Sequence, residues 1–221
     1  MENIIYLTIA LAAGALGTAI YFVAPLPTWR YMRTIRRHRV ADGPEGQPVR
    51  IVGAIAPIGA PLIAPLSGTP CVYYAAQLIQ WRGKGSKILR REFHVVPFAV
   101  VDESGRALLD LTVEHFRYTA VPRTLYRVTS SPTPWEEAML ARAGQEPSPT
   151  RGWTHSYQFV EQALTIGTQV AVVGVGVREP DPDAVGAVRG YRDVPPTRLR
   201  LGPTSRGGPY VHPVRPSLTG P

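Results

Sequence analysis

The chain has 221 residues, enough for one domain of ordinary size with terminal extensions. Lys+Arg number 24 against 16 Asp+Glu, a formal net charge of +8, and all the basic residues except Lys84 and Lys87 are arginine. The single cysteine, Cys71, excludes an intrachain disulfide, and 23 prolines with 21 glycines favour a turn-rich, mainly β chain over a helical bundle.

The segment Ile4 to Val23 carries no formal charge and has the length of a bilayer crossing, which takes about 20 apolar residues. Arg30, Arg33, Arg36, Arg37 and Arg39 follow it, whereas Glu2 is the one charged side chain before it. By the positive-inside rule this predicts a single-pass membrane protein, N-terminus outside and the remaining chain cytoplasmic. A signal peptide would need a basic start and a small-residue cleavage site, and Met-Glu-Asn and Ala24-Pro25 supply neither. Tyr6, Tyr21, Trp29 and Tyr31 stand near the two ends as interfacial aromatics would. Ala10, Gly14, Ala13 and Gly17 give small-residue spacing that fits a homodimer through the helix, or ordinary membrane-helix composition.

After a basic juxtamembrane linker, 30–46, the residues from 47 to 178 read as a β-rich domain. Pro48 to Ile55 reads as a first strand. Ala56 to Pro70 holds Pro57, Pro61 and Pro65 and reads as an extended loop. Cys71 to Trp81 is rich in β-formers and reads as a strand, and Arg82 to Arg91 as a basic connection. Glu92 to Val101 and Ala107 to Val113 flank the turn Asp102-Glu-Ser-Gly105, the clearest hairpin in the chain. Thr133, Pro134 and Glu136 make a capping box, so one short helix is predicted near 134–143, ended by Gly144. Trp135, Met139 and Arg142 share a stripe of it, and the two apolar residues are read as core anchors. Trp153 to Val160 and Gln169 to Val177 read as the last strands. From 179 to 221 the chain contains nine prolines and no acid beyond Asp193, and it reads as a disordered tail.

Three segments in order, APLSGTPCVYYAAQL (64–78), FAVVDESGRALLDL (98–111) and FVEQALTIGTQVAVVGVG (159–176), resemble the GIDE, or "beside a membrane", domain. That domain is best known from mitochondrial ubiquitin ligases with two membrane helices and a C-terminal RING. The resemblance covers roughly Val49 to Arg178. It implies a mainly β (α+β) fold and a membrane-adjacent binding or scaffold module, similar to the substrate-facing part of such ligases. Within those motifs Ser67, Gly68, Tyr73 and Glu161 are the candidate partner-binding residues. Glu161 has the alternative of bonding backbone donors ahead of the last strand. A second membrane helix is missing, and one cysteine cannot build the zinc sites of a RING. Ubiquitin-type transfer would then need a RING supplied in trans, which is the alternative reading.

No catalytic, cofactor-binding or metal-ligating set emerges from the residues themselves. Cys71 opens an apolar strand, where a thiol behaves as a small hydrophobe rather than a nucleophile. His94, His115, His155 and His212 lack metal spacing. Gly174-x-Gly176 lacks the third glycine and following helix of a dinucleotide fingerprint. Asp181 and Asp183 read as a solvated linker. Arg36, Arg37, Arg39, Arg82, Lys84, Lys87, Arg90 and Arg91 form the candidate surface for anionic lipid headgroups, with ordinary solvated loops as the plain alternative. Nucleic acid is not an expected partner, since no recognition motif accompanies the basic residues.

Overall fold

The computed structural model describes residues 26–82, 85–109, 111, 117–118, 124–128, 132–145, 156–182 and 197–214. Thirteen strands and two helices are described: α1 (Leu26–Thr34), β1 (Arg37–His38), β2 (Pro48–Pro57), β3 (Leu62–Ile63), β4 (Pro70–Arg82), β5 (Gly85–Val95), β6 (Phe98–Asp102) and β7 (Gly105–Leu109), then β8 (Arg117–Tyr118), β9 (Thr124–Val128), α2 (Pro134–Arg142), β10 (Ser156–Thr165), β11 (Gln169–Pro180), β12 (Thr197–Gly202) and β13 (Tyr210–Pro213).

Five strands close a barrel in the order β2-β6-β7-β12-β11 and back to β2. All these pairs are antiparallel except β7 with β12, which is parallel. In barrel order this is first, second, third, fifth, fourth, a Greek-key closure of the OB type. Closure follows from alternation. Val49, Ile51 and Ile55 of β2, Phe98 and Val100 of β6, Ala107 and Leu109 of β7, Val170 and Val172 of β11, and Leu199 and Leu201 of β12 all turn inward to one core. Each large side chain buried there contributes about 1.5–3 kcal/mol.

Glycine makes the closure possible at Gly53. Residues 48–54 of β2 pair with β11 and residues 54–57 pair with β6, so Gly53 stands where the strand changes partner. A Cβ there would lie 2.2 Å from the carbonyl oxygen of Val101. Gly174 and Gly176 likewise serve packing in β11, where a Cβ would meet Gly202 O at 2.8 Å and Pro44 O at 2.5 Å.

The second sheet is inserted between the first two barrel strands and between the third and fourth. Its order is β5-β4-β10-β9, with β3 on the start of β4. One face carries α2, whose Met139 and Leu140 pack on Ala76, Leu78 and Phe159. The capping box is formed: Thr133 N donates to Glu136 Oε2 at 2.6 Å, and Glu136 N donates to Thr133 Oγ1 at 3.4 Å. The 98–109 hairpin also forms. Asp102 accepts from Ser104 N at 2.8 Å and from Val40 N at 3.0 Å.

Two expectations are corrected. The expected single-pass membrane protein with a cytoplasmic domain finds no support among the described residues. Among the described residues no helix is long and apolar enough to cross a membrane. The two described helices have nine residues each, about 14 Å of rise against the roughly 30 Å of a bilayer core. Ile4 to Val23 lies outside the described residues.

Residues 30–46, read as a basic linker, contain the end of α1 and β1. Helix α1 buries Met32 completely against Ala171, Val173 and Tyr210, and Tyr31 meets Tyr210 edge-on at 5.8 Å. Arg178 Nη2 donates to the carbonyls of Val40 and Ala41 at 2.8 and 2.6 Å and ties residues 40–46 to the barrel.

The tail, finally, is not disordered where it is described: β12 and β13 are integral strands, with Leu199, Leu201 and Val211 fully buried. Prolines dominate the composition of 179–221, but they stand outside the short alternating run Thr197–Gly202.

Candidate functional site

β4 pairs with β5 through ten of the latter's eleven residues, and the register sorts the side chains by face. Arg90, Glu92 and His94 oppose Leu78, Ala76 and Tyr74, on the face that carries α2. Ile88, Arg91 and Phe93 oppose Ile79, Gln77 and Ala75 on the other face. A bulge at Leu78/Ile79 lets Leu89 join the α2 cluster without disturbing this division.

Between β5 and α2 lies an open groove of about 590 Å³, lined by Tyr74, Trp135 and His94, by Arg90, Arg91 and Arg142, and by Glu92 and Phe93. Glu92 organises its floor. Arg142 Nε and Nη2 donate to its two oxygens at 2.9 and 3.2 Å, and Arg90 Nε donates to Oε1 at 2.7 Å. Burial alone would raise the Glu92 carboxyl, but these hydrogen bonds outweigh it and hold it below its usual value. Tyr74 and His94 lie 5.0 Å apart, and Trp135 meets Phe159 edge-on at 6.2 Å. Arg90 and Arg142 against one committed carboxylate, with aromatic walls, make a groove suited to anionic, partly apolar ligands.

A second cavity of about 610 Å³ lies on the barrel, lined in part by Arg37, His38, Arg39, Asp102 and Glu103. There the charges offset one another. Arg39 pairs with Glu103 at 3.2 Å, and Asp102 is held below its usual value because hydrogen bonds from Ser104, Val40 and Gly105 outweigh its burial.

The sequence candidates fall into separate places. Ser67 and Gly68 occupy an exposed turn; Ser67 Oγ accepts from Thr69 N at 3.3 Å, and Gly68 adopts φ +66°. Glu161 is buried beneath it, and its Oε2 accepts from Leu66 N at 2.5 Å. Tyr73 packs against the barrel core, and burial raises its hydroxyl pKa although Arg91 acts against that. These four make no common site; Glu161 fastens the turn that Ser67 and Gly68 form. Replacing Glu161 by alanine would leave the Leu66 donor without its buried acceptor. A loss of about 1–3 kcal/mol in denaturant unfolding is expected, with ligand affinity of the folded protein unchanged. Intact stability with lost affinity would make it a contact residue instead.

Of the basic candidates, Arg90 and Arg91 line the groove, and Lys87 is exposed on β5. Arg37 and Arg39 line the barrel cavity, while Arg36 accepts Arg50 N through its carbonyl at 3.3 Å. Arg82 ends β4, and Lys84 and Asp183 lie outside the described residues. The basic connection of 82–91 is therefore largely strand. Tyr74, Glu92, His94 and Trp135 were not among the site candidates. The signal was present in the alternation of Arg90, Glu92 and His94, and it is visible once β5 is known to be a strand.

Cys71 is fully buried, and burial followed by the charge of Glu161 raises its thiol to about 11, so it stays protonated at neutral pH. Among the described residues no group of His, Cys, Asp and Glu could hold a metal ion. No family model, curated protein or solved structure matches the chain.

Proposed function

We propose that this chain is a non-catalytic binding module that recognises an acidic segment of a protein partner in the groove between β5 and α2. One observation carries the reading: Arg90 and Arg142 converge with Tyr74, His94 and Trp135 on one open groove, and among the described residues Glu92 is the carboxylate that lines it. Guanidinium groups pre-set by a shared carboxylate lose little freedom on meeting a second anion. The buried, protonated thiol of Cys71 agrees with a binding role rather than with nucleophilic transfer. The ordered GIDE-like motifs agree with it as well.

The test is fluorescence anisotropy of a labelled acidic peptide with the whole chain. Arg90→Glu reverses the charge of one of the two guanidiniums on the α2 face and is expected to weaken binding about tenfold, close to 1.4 kcal/mol. Arg39→Glu, on the other cavity, should leave affinity within error. Equal effects of the two substitutions, or turnover of the peptide, would contradict the reading.

A further inference from the structure

The second sheet ends at β5, an eleven-residue strand whose outer edge pairs with nothing among the described residues. An unpaired edge offers a row of backbone N–H and C=O groups to any extended chain that fits beside it. Its side chains decide which chain fits. Toward α2 the edge offers Arg90 and His94, with Arg142 behind them. On the opposite face it offers Ile88, 45% exposed, and Phe93, 54% exposed, interrupted by Arg91. Exposed apolar side chains of this size on an open edge strand invite pairing unless charge prevents it.

Charge does prevent one kind of pairing. A second copy laid parallel and in register along β5 would set Lys87, Arg90 and Arg91 against the same residues, with Glu92 as the one acid in the strand. Like charges placed across a strand pair are destabilising. That register is thus disfavoured, and a strand rich in acidic residues matches the edge better.

We propose that the partner segment binds by strand addition to β5, with alternating acidic and apolar residues: acidic side chains toward Arg90 and Arg142, apolar ones on Ile88 and Phe93. The proposal deepens the groove reading above and rests on it. Main-chain pairing would supply affinity that does not depend on side-chain identity, and the two faces would supply selectivity. The period of two follows from the strand itself.

The experiment uses the whole chain and synthetic peptides of about eight residues, the length of an ordinary strand. One peptide alternates Asp and Val, and a second has the same composition in scrambled order. Two more are copies of the first, N-methylated at alternate residues in one phase or the other. Only one phase of a bound strand directs its N–H groups at β5, so N-methylation in that phase is expected to weaken binding at least tenfold, and in the other phase by less than threefold. The scrambled peptide is expected to bind at least tenfold more weakly.

Equal loss in both phases, or none in either, overturns strand addition. If Arg90→Glu still weakens binding, the groove reading survives that failure. If no acidic peptide binds, both fall. Vesicles of phosphatidylserine and phosphatidylcholine form the remaining arm. Binding to them through Arg90 and Phe93 with none to the peptides would overturn the proposal in favour of a lipid surface.

Discussion

Replacing Leu201 by aspartate is expected to abolish the cooperative unfolding transition of the barrel, or to lower its midpoint drastically. Leu201 is fully buried in the core, on a strand that pairs with β7 on one side and β11 on the other. A carboxylate there would have to ionise without a partner or stay protonated, and either costs about 4 kcal/mol or more. Native domains are stable by only about 5–15 kcal/mol, so most of that margin would disappear. The measurement is denaturant unfolding followed by near-UV circular dichroism. It separates two pictures of the C-terminal region sharply. In a disordered tail the same substitution would change stability by no more than about 0.5 kcal/mol. Arg200→Asp, one residue earlier on the exposed side of β12, is the matched control and should have a far smaller effect.

The second large effect is expected at Gly53. Alanine adds a single methyl group, yet that methyl would sit 2.2 Å from the Val101 carbonyl oxygen and 3.0 Å from a Val100 side-chain carbon. Backbone cannot rotate away as a flexible side chain can, so β2 and β6 must separate where the barrel closes. A loss of about 3 kcal/mol is expected in the same unfolding measurement, at the upper end for overpacking by one carbon. Gly46→Ala is not an equivalent control, because Gly46 adopts φ +70° and its substitution is strained for a different reason. Ala54→Gly is the better comparison, since it removes a methyl beside the same junction. It should cost about 1 kcal/mol or less.

The elements legible in the sequence were those whose signals are local. The 98–109 hairpin announces itself through Asp102, Ser104 and Gly105 between two apolar runs, and the structure uses Asp102 to hold both the turn and Val40. The helix from Pro134 to Arg142 is given by its capping box. The strands around Cys71–Trp81 and Gln169–Val177 follow from dense β-forming residues. Elements that exist only through distant partners were hidden. β12 shows two apolar residues, Leu199 and Leu201, alternating with Arg198 and Arg200, and its place depends on β7 about ninety residues earlier. β5 looked like a basic connection because its arginines mask a period of two that only pairing with β4 reveals. α1 combines Pro27 with arginines and yields its role only through the burial of Met32 under Tyr210.

The candidate site divides in the same way. Glu161 was legible as a residue, and its bond to Leu66 N fits the structural alternative read beside the partner-binding one. Arg90 and Arg91 were legible as charge. The groove was not legible, because Tyr74, His94, Trp135 and Arg142 come from β4, β5 and α2, and no spacing in the chain connects them.

The most direct test of the groove is amide chemical-shift mapping of the isotopically labelled chain titrated with an acidic peptide. Saturable shifts are expected at Tyr74, along 90–94, at the Trp135 indole and at Arg142, and they should weaken as salt rises, because the contacts are charged and partly exposed. Shifts confined to the Arg37–Arg39 side of the barrel, or no saturable shifts at all, would contradict the account.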